Sequence, residues 1–360
     1  MTILTFVYFI AGLVLLVFGA DWLVRGASRI AASWGVSSLV IGLTVVAYGT
    51  SAPEMAVSVK AAWLGQSDIG LGNVVGSNIF NVLFILGISA MITPLVVAAQ
   101  LIRIDVPIMI GISLLTYAMA LDGNIGRVDG AVLFAGAIAY TVLQIRQSRR
   151  ESAAIRDEFE EGVAPDTAPM ASSLGLIALG LVGLVLGARW LVDSAVIFAQ
   201  ALGVSELVIG LTVVAAGTSL PEVATSVVAA IRGERDIAVG NVIGSNVFNL
   251  LAVLGLSSII GPTGIAVAPG VLGFDLPVMI AVAIACLPIF ARGACIQRWE
   301  GAVFFFYYVA YTTFVVLAAQ QHDALPAFSA MMRTFVIPIT VLTIGLVSWR
   351  FWPSSPGHRA

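Results

Sequence analysis

The chain has 360 residues, 59% of them hydrophobic and only 10% charged, with a net charge of −3 and a mean hydropathy of +1.04. Soluble domains carry about 25% charged residues, so this is the composition of an integral membrane protein. No basic patch with interleaved aromatics occurs, which excludes a nucleic-acid binder.

Apolar runs of spanning length lie at about 3–24, 37–62, 68–92, 101–121 and 127–145. A polar segment over 146–170 follows, and then further runs at about 171–192, 205–230, 236–261, 271–291, 299–319 and 330–350. A span needs about 20 apolar residues, so the pattern predicts eleven transmembrane helices: five, a linker, five, and one extra. The first run lacks a basic leader and a small-residue cleavage site, and reads as a retained helix rather than a signal peptide. Cys286 and Cys295 flank a helix end and read as small side chains, not as a disulfide.

The two sets of five repeat each other. Gly49-Thr50-Ser51-Ala52-Pro53-Glu54 returns as Gly217-Thr218-Ser219-Leu220-Pro221-Glu222. Gly72-Asn73-Val74-Val75-Gly76-Ser77-Asn78-Ile79-Phe80-Asn81 returns as Gly240-Asn241-Val242-Ile243-Gly244-Ser245-Asn246-Val247-Phe248-Asn249. From Ser37 to Pro94 nearly two thirds of the positions are identical to their partners, without a gap. Asp105-Val106-Pro107 is echoed by Asp275-Leu276-Pro277, and Asp129-Gly130 by Glu300-Gly301, so the repeat covers the whole half.

Five is odd, so the second copy enters the membrane from the opposite face. Such inverted repeats are a transporter architecture with the site at the midplane between the halves. Charge agrees. With the N-terminus outside, thirteen arginines fall in inside segments, and Lys60, Arg127, Arg189 and Arg333 alone fall outside. That bias satisfies the positive-inside rule, and the eleventh helix returns the C-terminus to the cytoplasm.

Each copy sets a carboxylate, hydroxyls and amides in apolar sequence, where a charge at the bilayer centre costs about 2.5–3.5 kcal/mol on insertion scales. Thr50 and Glu54 are four apart, as are Ser77 and Asn81, so each pair shares a helix face. Pro53 and Pro221 cannot donate to the carbonyls of Gly49 and Gly217, which predicts kinks and freed backbone oxygens near Ala47 and Ala215. The glycines at 72, 76, 240 and 244 let the next helix approach closely or break. Calcium takes six to eight oxygens in flexible geometry. Two glutamates neutralise one divalent ion or a pair of monovalent ones, and competition for them would couple two ion movements.

These paired segments resemble the α-repeats of the cation/calcium exchanger superfamily, and within it the sodium/calcium exchangers. The resemblance covers about residues 1–320. It implies an all-α fold of ten core helices in two inverted halves, residues 1–145 and 171–320, with motifs at 38–94 and 206–262. The cytoplasmic linker would then be 146–170, and 321–360 an added helix and tail. By resemblance, the ligands of the transported Na⁺ and Ca²⁺ are Thr50, Ser51, Glu54, Ser77 and Asn81, with Thr218, Ser219, Glu222, Ser245 and Asn249. The carbonyls of Ala47 and Ala215 complete the set. Potassium-dependent relatives have Asp at the position of Asn249, and proton-coupled ones carry G-N-A-x-E in place of Gly-Thr-Ser-x-Pro-Glu. The first departure argues against potassium co-transport and leaves the Na⁺:Ca²⁺ ratio open, and the second favours sodium over protons. The linker is too short for a calcium-sensing domain.

Plainer readings compete at other positions. The hydroxyls read alternatively as back-bonding to helix carbonyls. Asn73, Asn78, Asn241 and Asn246 divide evenly between the site and interhelical hydrogen bonding. Asp68 and Asp236 read as N-caps, and Asp21/Arg25 and Arg189/Asp193 as i,i+4 pairs. The acidic run Asp157–Glu161 reads as solvated linker, and nothing suggests metal binding at His322 or His358. The expected function is Na⁺/Ca²⁺ antiport by alternating access in a prokaryotic inner membrane, with Ca²⁺/H⁺ or other cation antiport as the alternative. A channel would need a pore with oligomeric symmetry, and an intramembrane enzyme a nucleophile and base that the spans lack. No cofactor is expected, and the sequence identifies no protein partner.

Overall fold

The computed structural model describes residues 3–34, 36–158, 169–202, 215–342 and 345, without the side chains of 149–158 and 215. Almost all of it is helix, because a backbone in hydrocarbon must satisfy its own hydrogen bonds. The helices are α1 (Ile3–Trp34), α2 (Ser38–Thr50), α3 (Ala52–Trp63), α4 (Ser67–Ile92), α5 (Leu101–Asp122) and α6 (Arg127–Glu158). The second half contributes α7 (Met170–Ala201), α8 (Ala215–Gly217), α9 (Leu220–Arg232), α10 (Arg235–Ile260), α11 (Val271–Ala291) and α12 (Arg298–Ala319). A final helix, α13 (Leu325–Leu342), follows.

Among the described residues nine helices are long and apolar enough to span a bilayer, or ten if α2 and α3 count as one bent span. The remaining predicted run, 205–230, is described only from Ala215. The segment predicted as a linker from 146 is helical as far as Glu158, because α6 runs on past its apolar stretch. The rest of the linker, most of the acidic run and His358 lie outside the described residues.

Glycine seams show how the halves are inverted. A Cβ on Gly12 would stand 2.9 Å from the Gly187 carbonyl, one on Gly19 2.9 Å from that of Gly180, and one on Gly26 2.8 Å from that of Ser173. Partner numbers fall as the first rises, so α1 and α7, the equivalent first helices, run antiparallel with their backbones in contact. Gly87 of α4 meets Gly301 of α12 in the same manner, and Gly255 of α10 meets Gly130 of α6. Each motif helix thus packs on the last core helix of the other half.

Short antiparallel ladders repeat the exchange. β1 (Leu95–Val96) pairs with β4 (Cys295–Ile296), and β2 (Asn124–Ile125) with β3 (Ile265–Ala266). Arg298 donates to the Ile92 carbonyl at the end of α4, and Arg127 to the Gly261 and Pro262 carbonyls beyond α10. Those carbonyls have no intrahelical partner, and a cation near a helix C-terminus also complements its dipole.

The motif helices are innermost: the spanning stretch of α10 is 94% buried and that of α4 72%, against 28% for α1. The outer faces of α1 and α7 present Phe6, Ile10, Leu13, Leu179 and Val182 to the surroundings, as lipid-facing helices must. Asp21 pairs with Arg25 at 2.9 Å and also with Arg232 of α9, while the equivalent Arg189–Asp193 pair is longer, 3.9 Å, and exposed. Asp68 and Asp236 are not N-caps. Gln66 and Glu234 hold those positions without a side-chain bond, and the aspartates sit inside the first turn, where they complement the helix dipole. Cys286 is buried, Cys295 half-buried, and both are free thiols.

Candidate functional site

Two breaks and two π-helical turns bring the motif residues together. Pro53 stands in the first turn of α3, where its missing N–H costs nothing, and Ser51 leaves helical geometry at φ −80°, ψ 9°. The span bends by 48° there. Pro221 and Ser219 (φ −90°, ψ 7°) repeat the arrangement before α9. Glu54 and Glu222 therefore lie in the first turns of α3 and α9, where a helix N-terminus favours negative charge. In α4 and α10 a π-helical turn begins at Asn81 and at Asn249, a local widening common at functional sites.

Of the glycines expected to allow close approach or a break, Gly240 and Gly244 permit close approach, whereas a Cβ on Gly72 or Gly76 would meet no atom within 4 Å. A Cβ on Gly240 would come 3.0 Å from the Leu39 carbonyl and one on Gly244 2.5 Å from that of Leu43. The expected release of the Ala47 carbonyl does not occur either. It accepts the Ser51 N–H at 3.0 Å and lies 3.3 Å from the Thr50 hydroxyl, because the chain turns just after it. Ala215 begins the short helix α8.

The hydroxyls cross between halves. Ser51 donates to Glu222 Oε1 and Ser219 to Glu54 Oε1, both at 2.8 Å. Ser219 Oγ also lies 3.2 Å from Ser77 Oγ. Thr50 donates to Asn241 Oδ1 at 3.1 Å and Thr218 to Asn73 Oδ1 at 3.2 Å. Each of these asparagines spends its Nδ2 locally, Asn73 on Ser58 Oγ and Asn241 on Ser226 Oγ, both at 2.9 Å. Back-bonding thus accounts for little of the hydroxyl chemistry here.

Among the described residues five oxygens at the centre have no protein partner: Glu54 Oε2, Glu222 Oε2, Asn81 Oδ1, Asn249 Oδ1 and Ser245 Oγ. Both glutamates are 0% exposed, and among the described residues the salt bridges that form leave them out. A buried unpaired carboxylate oxygen costs several kcal/mol unless a cation compensates it. These lone pairs, with Thr and Ser hydroxyls oriented around them, form a hard, all-oxygen donor set suited to Ca²⁺ or Na⁺. Among the described residues no cluster of three or more His, Cys, Asp or Glu forms, so the set lacks the nitrogen and sulfur that softer metals prefer.

Of the residues expected in the site, Thr50, Ser51, Glu54, Ser77, Asn81, Thr218, Ser219, Glu222, Ser245 and Asn249 all belong to this buried centre or its direct hydrogen bonds. Sequence reasoning left Asn73, Asn78, Asn241 and Asn246 undecided. All four hydrogen-bond across the halves to site residues. It passed over Ser58 and Ser226, whose only signal was their recurrence at matching positions four residues after the glutamates.

Comparison with known proteins gives one answer throughout. The family described as sodium/calcium exchanger protein matches residues 4–146 and 172–317. The inner membrane protein YrbG of Escherichia coli is 37% identical over 278 residues, 76% of this chain and 85% of its own length. The sodium/calcium exchanger MaX1 of Methanosarcina acetivorans is 35% identical, covering 86% of this chain and 98% of its own length. A solved structure of the sodium-calcium exchanger NCX_Mj, soaked with 10 mM Na⁺ and 10 mM Sr²⁺, superposes with a TM-score of 0.74 at 34% identity. That match covers 86% of this chain and 97% of the other.

Proposed function

This chain belongs to the sodium/calcium exchanger protein family, and from that membership we propose that it exchanges Na⁺ for Ca²⁺ across the membrane by alternating access. The family is one of transporters, and the fold is its cation antiporter fold. Choosing sodium over protons as the driving ion is the finer step. It is supported by the set of unpartnered oxygens, in which hydroxyls and amides outnumber carboxylates. A proton needs only a basic oxygen, whereas Na⁺ needs several neutral ones around it.

In this reading Glu54 and Glu222 carry the charge that attracts Ca²⁺, and Asn81, Asn249, Ser77 and Ser245 add neutral oxygens. Ser51 and Ser219 tie each carboxylate to the other half, so an ion shared by the glutamates draws on both halves at once. Na⁺ and Ca²⁺ compete for the same carboxylates, which couples their movements. The exchanger would sit in a prokaryotic inner membrane with its N-terminus outside and would need no cofactor.

The test is ⁴⁵Ca²⁺ uptake into proteoliposomes loaded with Na⁺, K⁺ or acid. Uptake driven only by internal Na⁺, and abolished in correctly inserted Glu54→Gln and Glu222→Gln proteins, is the expected result. Uptake driven by the acid interior would move the function to Ca²⁺/H⁺ antiport. Normal flux in either variant would overturn the site.

A further inference from the structure

Two acceptors face the Nδ2 of Asn78 and two face that of Asn246. One is the other residue's backbone carbonyl, at 3.3 Å in both directions. The second is a sulfur, Met279 Sδ at 3.7 Å from Asn78 and Met109 Sδ at 3.6 Å from Asn246. A thioether sulfur accepts weakly and never donates, so carbonyl and sulfur together admit only the NH₂ end of each amide. The Oδ1 ends are thereby turned the other way. Asn246 Oδ1 accepts from Asn81 Nδ2 at 3.0 Å, and Asn78 Oδ1 from Asn249 Nδ2 at 3.3 Å. Asn81 and Asn249 then keep their own Oδ1 atoms for the central site.

The sulfurs are themselves fixed. Met109 and Met279 are buried, and one helical turn before each stands an aspartate on the same face. Asp105 accepts from the Tyr140 hydroxyl of α6 at 3.0 Å, and Asp275 from the Tyr311 hydroxyl of α12 at 2.9 Å. Each bond holds α5 or α11 against the last core helix of its own half. Both copies keep Asp-x-Pro-x-Met while the residues between differ, Val106 and Ile108 against Leu276 and Val278. Resting on the Na⁺/Ca²⁺ reading above, we propose that Met109 and Met279 are positioning residues for the transported ion. Through Asn246 and Asn78 they orient the amide oxygens of Asn81 and Asn249 that the ion meets. Leucine would fill the same space but leave one N–H of each amide facing hydrocarbon, a buried donor without an acceptor. The amide then gains by turning, and the site oxygen turns with it.

The experiment uses the full chain as the parent protein and as Met109→Leu, Met279→Leu, Asn246→Ala and the Met109→Leu/Asn246→Ala double variant. Equilibrium ⁴⁵Ca²⁺ binding in detergent, the unfolding midpoint of the ion-free protein, and Na⁺-driven ⁴⁵Ca²⁺ uptake into proteoliposomes are read together. Each leucine variant should bind Ca²⁺ roughly fivefold more weakly, with an ion-free midpoint close to the parent's. Asn246→Ala should also weaken binding, and adding Met109→Leu should weaken it no further, because residues acting through one another are not additive. Parent-like affinity in both leucine variants, with or without a lowered midpoint, would overturn the proposal. So would a fully additive loss in the double variant. A parent that binds Ca²⁺ but shows no Na⁺-driven uptake would overturn the sodium reading alone, and the binding data would still decide the role of the methionines. A parent that binds no Ca²⁺ would overturn both.

Discussion

Asn249 shows how much rests on which end of an amide faces the ion. Its Nδ2 is tied to Asn78 Oδ1 at 3.3 Å, and its Oδ1 is free for a ligand. Asn249→Asp keeps the size but removes the donor, leaving two acceptors in contact unless Asn78 gives up its bond to the Asn246 carbonyl. Losing a buried hydrogen-bond partner costs about 1–3 kcal/mol, so the variant's Ca²⁺ uptake rate should fall by about tenfold. Uptake equal to the parent protein's would show that Asn78 and its partners rearrange freely. Asn81 and Asn249 were legible as site residues because each lies four positions after a serine on one helix face. Their bonds to Asn246 and Asn78 were not, since helical spacing says which residues share a face but not what that face meets.

At the scale of helices, close backbone contact decides the packing. A Cβ on Gly244 would stand 2.5 Å from the Leu43 carbonyl and 2.7 Å from the Leu43 Cα, so Gly244→Ala must push α10 away from α2. Overpacking of this kind costs about 1–3 kcal/mol, and thermal unfolding in detergent should show a clearly lowered midpoint. Gly111, on α5, meets no atom within 4 Å at its Cβ position, so Gly111→Ala serves as a control and should be neutral or slightly stabilising. Equal midpoints for the two variants would remove the argument from backbone contact. Proline gave the bends in advance, because its missing N–H acts locally. The seam of α1 on α7 could not be foreseen, since it joins glycines more than 150 positions apart.

At the scale of the molecule, the ten-helix core and α13 separate cleanly. The family match ends at residue 317, and the spanning stretch of α13 is 0% buried. Its attachment to the core includes the bond from the Tyr307 hydroxyl to the Val336 carbonyl, at 3.3 Å, on the outer side of α12. A chain ending at Pro326 should therefore fold, insert and transport at a rate comparable to the full chain, as judged by size-exclusion profile and ⁴⁵Ca²⁺ flux. An aggregated or inactive product would make α13 part of the core. Asp21 with Arg232 marks a further asymmetry, for the first half has Leu64 where the second has Arg232, and so cannot mirror this tie between α1 and α9.

By itself the amino-acid sequence determined the membrane class, the duplication, the inversion that an odd helix number forces, and the chemical types at the site. Those follow from local properties: hydropathy over a span, identity between copies, and the inability of proline to donate. Only the tertiary structure decided that the serines cross to the opposite glutamates, that the Ala47 carbonyl stays bonded, and that four asparagines hydrogen-bond to one another across the halves. Hydrogen bonds between halves depend on a few ångströms of approach between distant segments, and no spacing along the chain encodes that distance.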